Sequence, residues 1–243
     1  MSSIIIFGAS GGIGQSLSEI LKNQGCTTIG VSRSAEKISN LNDKFDSVEI
    51  CDYSFESVES VIQTASQKFG PITGVVNLCG SLLLKPAHLT SFNDFDSVLK
   101  ANLYTSFAIL RSATKVLSSS GGGSIVLCSS AAAQIGLANH EAIAAAKGAI
   151  ISLAQSAAAT YASKNIRVNC VAPGLTQTPL TERITSSDTA VKASLSMHPI
   201  GRLGLPDDVA RMIAFLLDPQ NNWITGQTIG VDGGLGMLKT RVE

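Results

Sequence analysis

Seven short runs of apolar, largely β-branched residues (4–7, 27–31, 48–51, 75–78, 124–128, 167–171 and 228–231) are separated by stretches whose apolar residues recur at helical spacing. A strand that faces water on one side alternates apolar with polar; runs this uniformly apolar need cover on both faces. The intervening segments supply that cover. Ile13, Leu17, Ile20 and Leu21 fall on one helical face, and Phe55, Val58, Val61, Ile62 and Ala65 on another. Strands alternating with helices predict an α/β chain with a doubly wound, seven-stranded parallel sheet and helices on both faces.

Turn chemistry falls where this scheme needs it. Gly70-Pro71 closes one helix, the run 118–123 (SSSGGG) makes a bend, and Pro206-Asp207-Asp208 starts the last long helix. No repeat or linker divides residues 1–243, so a single domain is expected. The stretch 176–200 is rich in Ser and Thr, weakly periodic, and follows the carboxyl end of a strand, where open α/β sheets bind ligands. It reads as a lid over that crevice, or as an ordinary surface excursion.

Composition narrows the function classes. Hydrophobic residues make up 44% of the 243, enough for a core without disulfides or metals. Lys plus Arg and Asp plus Glu each number 18. That balance argues against nucleic-acid and anionic-membrane partners. No uninterrupted apolar stretch approaches the roughly 18 residues of a membrane helix, and the start lacks the basic segment and cleavage site of a secretory leader. Cys26, Cys51, Cys79, Cys128 and Cys170 are odd in number and lie in or beside apolar runs; His88, His140 and His198 lack metal-ligand spacing. These features predict buried free thiols, no metal site and a cytoplasmic protein. Lys239 and Arg241 are read as a solvated tail.

The run Phe7-Gly8-Ala9-Ser10-Gly11-Gly12-Ile13-Gly14 joins the first strand to the first helix. Glycines there let the chain turn sharply and bring backbone N–H groups and the positive helix end close to a pyrophosphate. Gly8, Ser10, Gly12, Ile13 and Gly14 are therefore candidate dinucleotide contacts. Cofactor choice depends on the end of the second strand, where an acid would accept from a ribose 2′-hydroxyl. This chain has Ser32-Arg33 instead. A hydroxyl and a guanidinium suit a 2′-phosphate, so NADP(H) is favoured over NAD(H), the alternative being an arginine simply exposed in a loop.

The spacing of Gly8, Gly12 and Gly14 resembles the nucleotide motif of the short-chain dehydrogenase/reductase family, and later motifs follow in that family's order. Cys51-Asp52 resembles its adenine-contacting aspartate. Asn77-Leu78-Cys79-Gly80 resembles its Asn-Asn-Ala-Gly stretch with the middle two residues changed. Asn102 resembles its tetrad asparagine, and Pro173-Gly174 with Thr178 its nicotinamide-carboxamide turn. PIGRLGLPDDVARMIAFLLD and GQTIGVDGG resemble its C-terminal helix and last strand. The resemblance runs from residue 4 to about 234 and implies a Rossmann fold of strand order 3-2-1-4-5-6-7, a small-molecule substrate, and a homotetramer or homodimer.

The family's implied chemistry is hydride transfer between nicotinamide and a carbonyl or alcohol, assisted by a tyrosine that moves the proton, a lysine four residues on, and a serine that polarises the substrate oxygen. Lys147 and Ser130 fall at the lysine and serine positions; the tyrosine position holds Ile143. Isoleucine neither donates nor accepts a proton, and loss of a positioned acid or base costs ~10²–10⁴ in rate. Tyr161 on the same helix is roughly 27 Å away at 1.5 Å per residue. His140 is three residues before Ile143 and its imidazole chemistry suits proton transfer near neutral pH, though a histidine opening a helix is commonly just exposed. Asn139 is a plausible cap for that helix and Glu141 a favourable first-turn charge. A water held by Ser130, Asn102 and Lys147 is the other candidate relay.

Three readings follow: an NADP(H)-dependent oxidoreductase with an unconventional proton donor; a cofactor-binding sensor or structural subunit without turnover; and a non-redox isomerase or lyase in the same pocket. Ile135, Leu137 and Ile143 hint at an apolar ligand, and core packing explains them equally well.

Overall fold

A computed structural model describes residues 2–34, 36 and 40–239; Arg241 lies outside the described residues. The seven strands are β1 (Ser3–Phe7), β2 (Thr27–Ser32), β3 (Ser47–Ile50), β4 (Ile72–Asn77), β5 (Gly123–Cys128), β6 (Ile166–Pro173) and β7 (Thr228–Val231). Each pairing is parallel, and the order across the sheet is β3-β2-β1-β4-β5-β6-β7, as expected. β4 starts three residues earlier than its sequence signal, because Ile72 extends the ladder against Ser3.

Period-two geometry splits each apolar strand between two cores. Ile5, Phe7, Val75, Ile125 and Leu127 face one side, and Ile4, Ile6, Val76 and Val126 face the other. Helices α2 (Phe55–Phe69), α4 (Thr105–Ser119) and α5 (Glu141–Tyr161) cover the first face. Helices α1 (Gly12–Asn23) and α8 (Pro206–Leu217) cover the second and pack on each other. The predicted α1 face holds, with Leu17 and Leu21 fully buried. On α2, Val58, Val61, Ile62 and Ala65 are buried, while Phe55 is 42% exposed and lies against the ring of Phe107 instead. First-turn residues splay away from the sheet, so helical periodicity overstates their burial.

α5 is alanine-rich, and Ala142, Ala146, Ile150, Ala154 and Ala157 repeat every three or four residues along its buried face. Small side chains let it lie close on the sheet. With its following turn it spans Glu141–Lys164, long and apolar enough by length and composition to cross a bilayer; packing against β5, β6 and α4 accounts for that composition.

One long helix contains an irregularity. α3 (Phe92–Leu99) is capped by Ser91 and Asp94, each accepting the other's backbone N–H, and runs into a π-helical turn, Lys100–Tyr104, before continuing as α4. Such turns insert an extra residue into the hydrogen-bond ladder and cluster at functional sites; this one contains Asn102. The segment 176–200 forms a 3₁₀ turn (Pro179–Thr181) and two short helices, α6 (Glu182–Thr185) and α7 (Asp188–Met197).

Candidate active site

The carboxyl ends of β1, β4, β5 and β6 open into one cleft of about 490 Å³, lined by Gly8, Gly12, Ile13, Gly14, Gly80, Ser130, His140, Ile143, Lys147, Pro173, Gly174 and Thr178 among others. Strand order reverses between β1 and β4, the switch point where doubly wound sheets bind ligands.

Backbone geometry at the glycine turn requires glycine. Gly8 has φ +83°, and a Cβ there would stand 2.8 Å from the Leu78 carbonyl carbon; a Cβ on Gly14 would stand 2.9 Å from the Gly8 oxygen. Gly11 is the N-cap of α1 and offers no side chain to the first-turn N–H groups, which leaves those donors and the positive helix end to an anion. A Cβ on Gly12 would lie 3.2 Å from Pro206 Cγ, so the cradle is narrow and closed from the side of α8. These residues fit a dinucleotide pyrophosphate.

At the outer corner, Ser32 is buried at the end of β2 and its hydroxyl approaches that of Ser10 at 3.5 Å. Arg33 is exposed, with its guanidinium 5.6 Å from the centroid of the Tyr53 ring. Tyr53 follows Asp52 at the end of β3 with φ +67°, a left-handed conformation that a bulky residue adopts only when its surroundings hold it. Its ring packs against Phe7. Burial, followed by the neighbouring Cys79 thiol, raises its hydroxyl pKa. Asp52 accepts from the Ser54 backbone at 2.8 Å and from the Ser54 hydroxyl at 2.7 Å, which lowers its pKa. Burial pushes the Cys79 thiol up to about 12 and also raises that of Cys128, so neither is poised as a nucleophile.

Two of the expected asparagines sit behind the cleft wall. Asn77 donates to Ser106 Oγ at 2.9 Å and accepts from Cys79 N at 2.9 Å. Asn102 is fully buried, donates to the Val98 carbonyl (2.9 Å) and Ser81 Oγ (3.1 Å), and accepts from Ser81 N (3.3 Å). Its amide clamps the loop at Gly80 and Ser81, and a Cβ on Gly80 would stand 2.7 Å from Asn102 Oδ1.

The remaining candidates do converge. Lys147 is 8% exposed; its Nζ donates to the Cys128 carbonyl at 2.8 Å, and its own carbonyl accepts from Ser129 Oγ at 2.9 Å. The lysine is thereby pinned to the end of β5. Ser130 Oγ accepts from Ala132 N at 3.2 Å, leaving its O–H to donate into the cleft. One helical turn from Lys147, Ile143 lines the same cleft and packs with Val98, Ala142 and Ala146 and against Leu82 and Leu99. His140, not Asn139, is the N-cap of α5; Asn139 has φ +64° in the preceding turn. The His140 Nδ1 lies 2.7 Å from the Ala138 carbonyl. A carbonyl only accepts, so Nδ1 carries a proton and Nε2 is the atom left to exchange one. Tyr161 ends α5 packed against the core on the far side.

Three features escape sequence reasoning. Tyr53 beneath Arg33 and Ser81 on Asn102 are contacts across distant segments. His198 has both ring nitrogens committed, Nδ1 donating to the Ser194 carbonyl (2.6 Å) and Nε2 accepting from Leu175 N (3.2 Å), so it struts α7 to the end of β6. The nearest sequence signal is for Tyr53, which directly follows the Asp52 motif.

Residues 8–236 match the family described as Enoyl-(Acyl carrier protein) reductase. A tropinone reductase homolog of Arabidopsis thaliana is 35% identical over 238 residues, covering 95% of this chain and 90% of the relative. A 3-oxoacyl-[acyl-carrier-protein] reductase of Thermotoga maritima is 32% identical over 240 residues, covering 95% and 96%. Among solved structures, a short-chain type dehydrogenase/reductase from Mycobacterium ulcerans superposes with a TM-score of 0.93 at 27% identity, over 97% of this chain and 90% of that one. ElxO with NADP bound superposes at 0.90 and 30% identity, over 96% and 98%. By sequence and by fold, the chain belongs to the short-chain dehydrogenase/reductase family.

Proposed function

We propose that the chain is an NADP(H)-dependent oxidoreductase acting on a carbonyl/alcohol pair, with His140 in place of the missing tyrosine. The observation that carries this reading is the convergence of the glycine turn, Lys147, Ser130 and His140 on one cleft. Reductase relatives and the NADP-bound ElxO neighbour support the cofactor.

When bound, the nicotinamide supplies or takes the hydride. Gly8, Gly12, Ile13 and Gly14 would hold the pyrophosphate, with Ser10, Ser32 and Arg33 for the 2′-phosphate, Asp52 and Gly80 for the adenosine and ribose, and Pro173, Gly174 and Thr178 for the carboxamide, while Asn77 braces the wall behind them through Ser106 and Cys79. Lys147, already oriented by the Cys128 carbonyl, turns its remaining N–H donors to the ribose and its charge to the reacting centre. Ser130 O–H donates to the substrate oxygen and stabilises charge developing there. His140 Nε2 gives or takes the proton on that oxygen, held in the right tautomer by Ala138. Asn102 acts through Ser81 and Gly80, holding the cleft wall in place.

The test is a fluorescence titration of NADPH and NADH, repeated with Arg33→Asp, followed by NADPH oxidation across a carbonyl panel with Ser130→Ala and His140→Asn. Tight NADPH binding shifted toward NADH by Arg33→Asp, with turnover lost in both site variants, is the expected result. A second reading, cofactor binding without turnover, is favoured by one observation, the apolar Ile143 at the acid position; NADPH binding with no oxidation of any substrate would select it.

The working form is a homo-oligomer. Phe92, Phe95, Tyr104 and Phe107 are exposed along α3, the π turn and α4, with Leu89 in the 3₁₀ turn before them, and Phe215, Trp223, Met237 and Leu238 are exposed toward the C-terminus. Two apolar faces on one chain suit self-association of a dimer or tetramer, which sedimentation at micromolar concentration checks.

A further inference from the structure

We infer that the substrate admitted beside Ser130 is neutral and largely hydrocarbon, carrying no carboxylate, phosphate or ammonium group. The reacting oxygen is assigned by the oxidoreductase reading, on which this inference rests; the walls that select the rest of the molecule are seen directly.

Leu84 and Ile143 line the cleft, together with Leu180 and Ile184 from around α6 and Met197 from the end of α7. Three of these, Leu84, Leu180 and Met197, are 42%, 54% and 44% exposed, large apolar surfaces left facing water. Among the described residues, no Asp, Glu or Arg lines the cleft. Its one lysine, Lys147, is the group that the cofactor ribose takes up in the oxidoreductase reading, and His198 has both ring nitrogens committed within the protein. Away from the glycine turn, a charged group laid along Leu84, Leu180, Ile184 and Met197 would be desolvated with no Asp, Glu or Arg to pair with, whereas a hydrocarbon gains from each methylene it buries. Replacement of an acid by Ile143 extends the same logic, since it removes a polar group where the family places one and joins the apolar packing of Leu82 and Leu99. Other hydroxyls of the cleft, those of Ser129, Thr176 and Thr181, already donate to carbonyls of the protein, which leaves Ser130 and His140 to recognise a single ligand oxygen.

Calorimetry with 2-octanone, 2-decanone and 9-oxodecanoate, on the protein alone and with saturating NADPH, tests the inference. We expect 2-decanone to bind at least tenfold tighter than 9-oxodecanoate, and each added methylene to gain about two- to fourfold. Met197→Glu, at an exposed position, should weaken 2-decanone about tenfold and leave the melting temperature and NADPH affinity near wild type. Equal or tighter binding of the keto acid, or indifference to Met197→Glu, overturns the inference while leaving NADPH binding to stand. Conversely, preference for 2-decanone in a protein that binds no NADPH upholds the apolar cleft and defeats the oxidoreductase reading.

Discussion

The guanidinium of Arg33 lies 5.6 Å from the ring centroid of Tyr53, so a cation–π contact joins the end of β2 to the loop after β3. The half-buried ring holds the charge in place and leaves the outer side of the guanidinium for a ligand. Contacts of this kind contribute about 0.5–1 kcal/mol at exposed sites. Tyr53→Leu should therefore weaken NADPH about two- to fivefold and leave NADH unchanged, and Tyr53→Phe should keep the preference. Arg33→Asp should have the larger effect and reverse it. Paired fluorescence titrations of each variant measure the ratio.

Placing a phenol at Ile143 is a gain-of-function test of the proposed chemistry. If proton transfer limits turnover, Ile143→Tyr raises the rate with a reactive carbonyl by ~10²–10⁴. Ile143 is 3% exposed, so the larger ring also costs about 1–3 kcal/mol of packing. His140→Asn should lower the wild-type rate by ~10², and the same change in the Ile143→Tyr background should cost much less. Equal losses in both backgrounds would show that His140 does not carry the proton.

Gly8→Ala should destabilise the fold and remove cofactor binding together. Its φ of +83° disfavours any side chain, and the new Cβ would meet backbone at 2.8 Å. A loss of about 2 kcal/mol or more in urea unfolding is expected.

Arg167 carries a stability prediction away from the site. It is 9% exposed, and its guanidinium donates to the carbonyls of Leu216 (2.8 Å), Asp218 (3.3 Å) and Ile224 (3.2 Å), closing the C-terminus of α8. Leu216, Asp218 and Ile224 each keep a second donor (Ser124 Oγ, Asn221 N and Asn169 Nδ2), so Arg167→Leu removes three charge-assisted bonds without orphaning a carbonyl and should cost about 1–3 kcal/mol. Thermal unfolding would show it, while NADPH affinity should scarcely move.

Acid stability follows from Asp208. Its carboxylate accepts from Arg202 at 2.6 and 2.9 Å and from Leu205 N at 2.8 Å, and these bonds hold its pKa at about 2 against an ordinary 3.8. A carboxyl lowered on folding contributes fully above its unfolded value and loses that contribution as pH falls toward the folded one. Urea midpoints should be flat above pH ~5 and fall between about pH 4 and 2. Asp208→Asn should lower the neutral midpoint and flatten the acid drop.

Much of the architecture was legible in the chain. β1 and β5 are apolar along Ile4–Phe7 and Ile125–Leu127 because both sheet faces are covered, and the glycines around Gly8 and Gly14 follow from the backbone itself. The position of Ile143 relative to Lys147 could be counted along one helix. Phe55 and Asn139 were misread for a common reason: end-of-helix residues obey the direction of the incoming chain more than the helical period. Asn102 and Asn77 were recognisable as motif residues, but their commitment to Ser81 and Ser106 was not.

Sequence by itself determined the alternation of strands and helices, the glycine turn after β1 and the placing of Ile143 one helical turn before Lys147, since each depends on neighbours within a few residues. Tertiary structure alone decided that Tyr53 braces Arg33, that Lys147 is held by Cys128, that His198 ties α7 to β6, and that Leu84, Leu180 and Met197 come to line one cleft. Those partners are set by which strand ends lie side by side in the sheet, and hydrogen bonds and packing between them leave no local pattern in the chain.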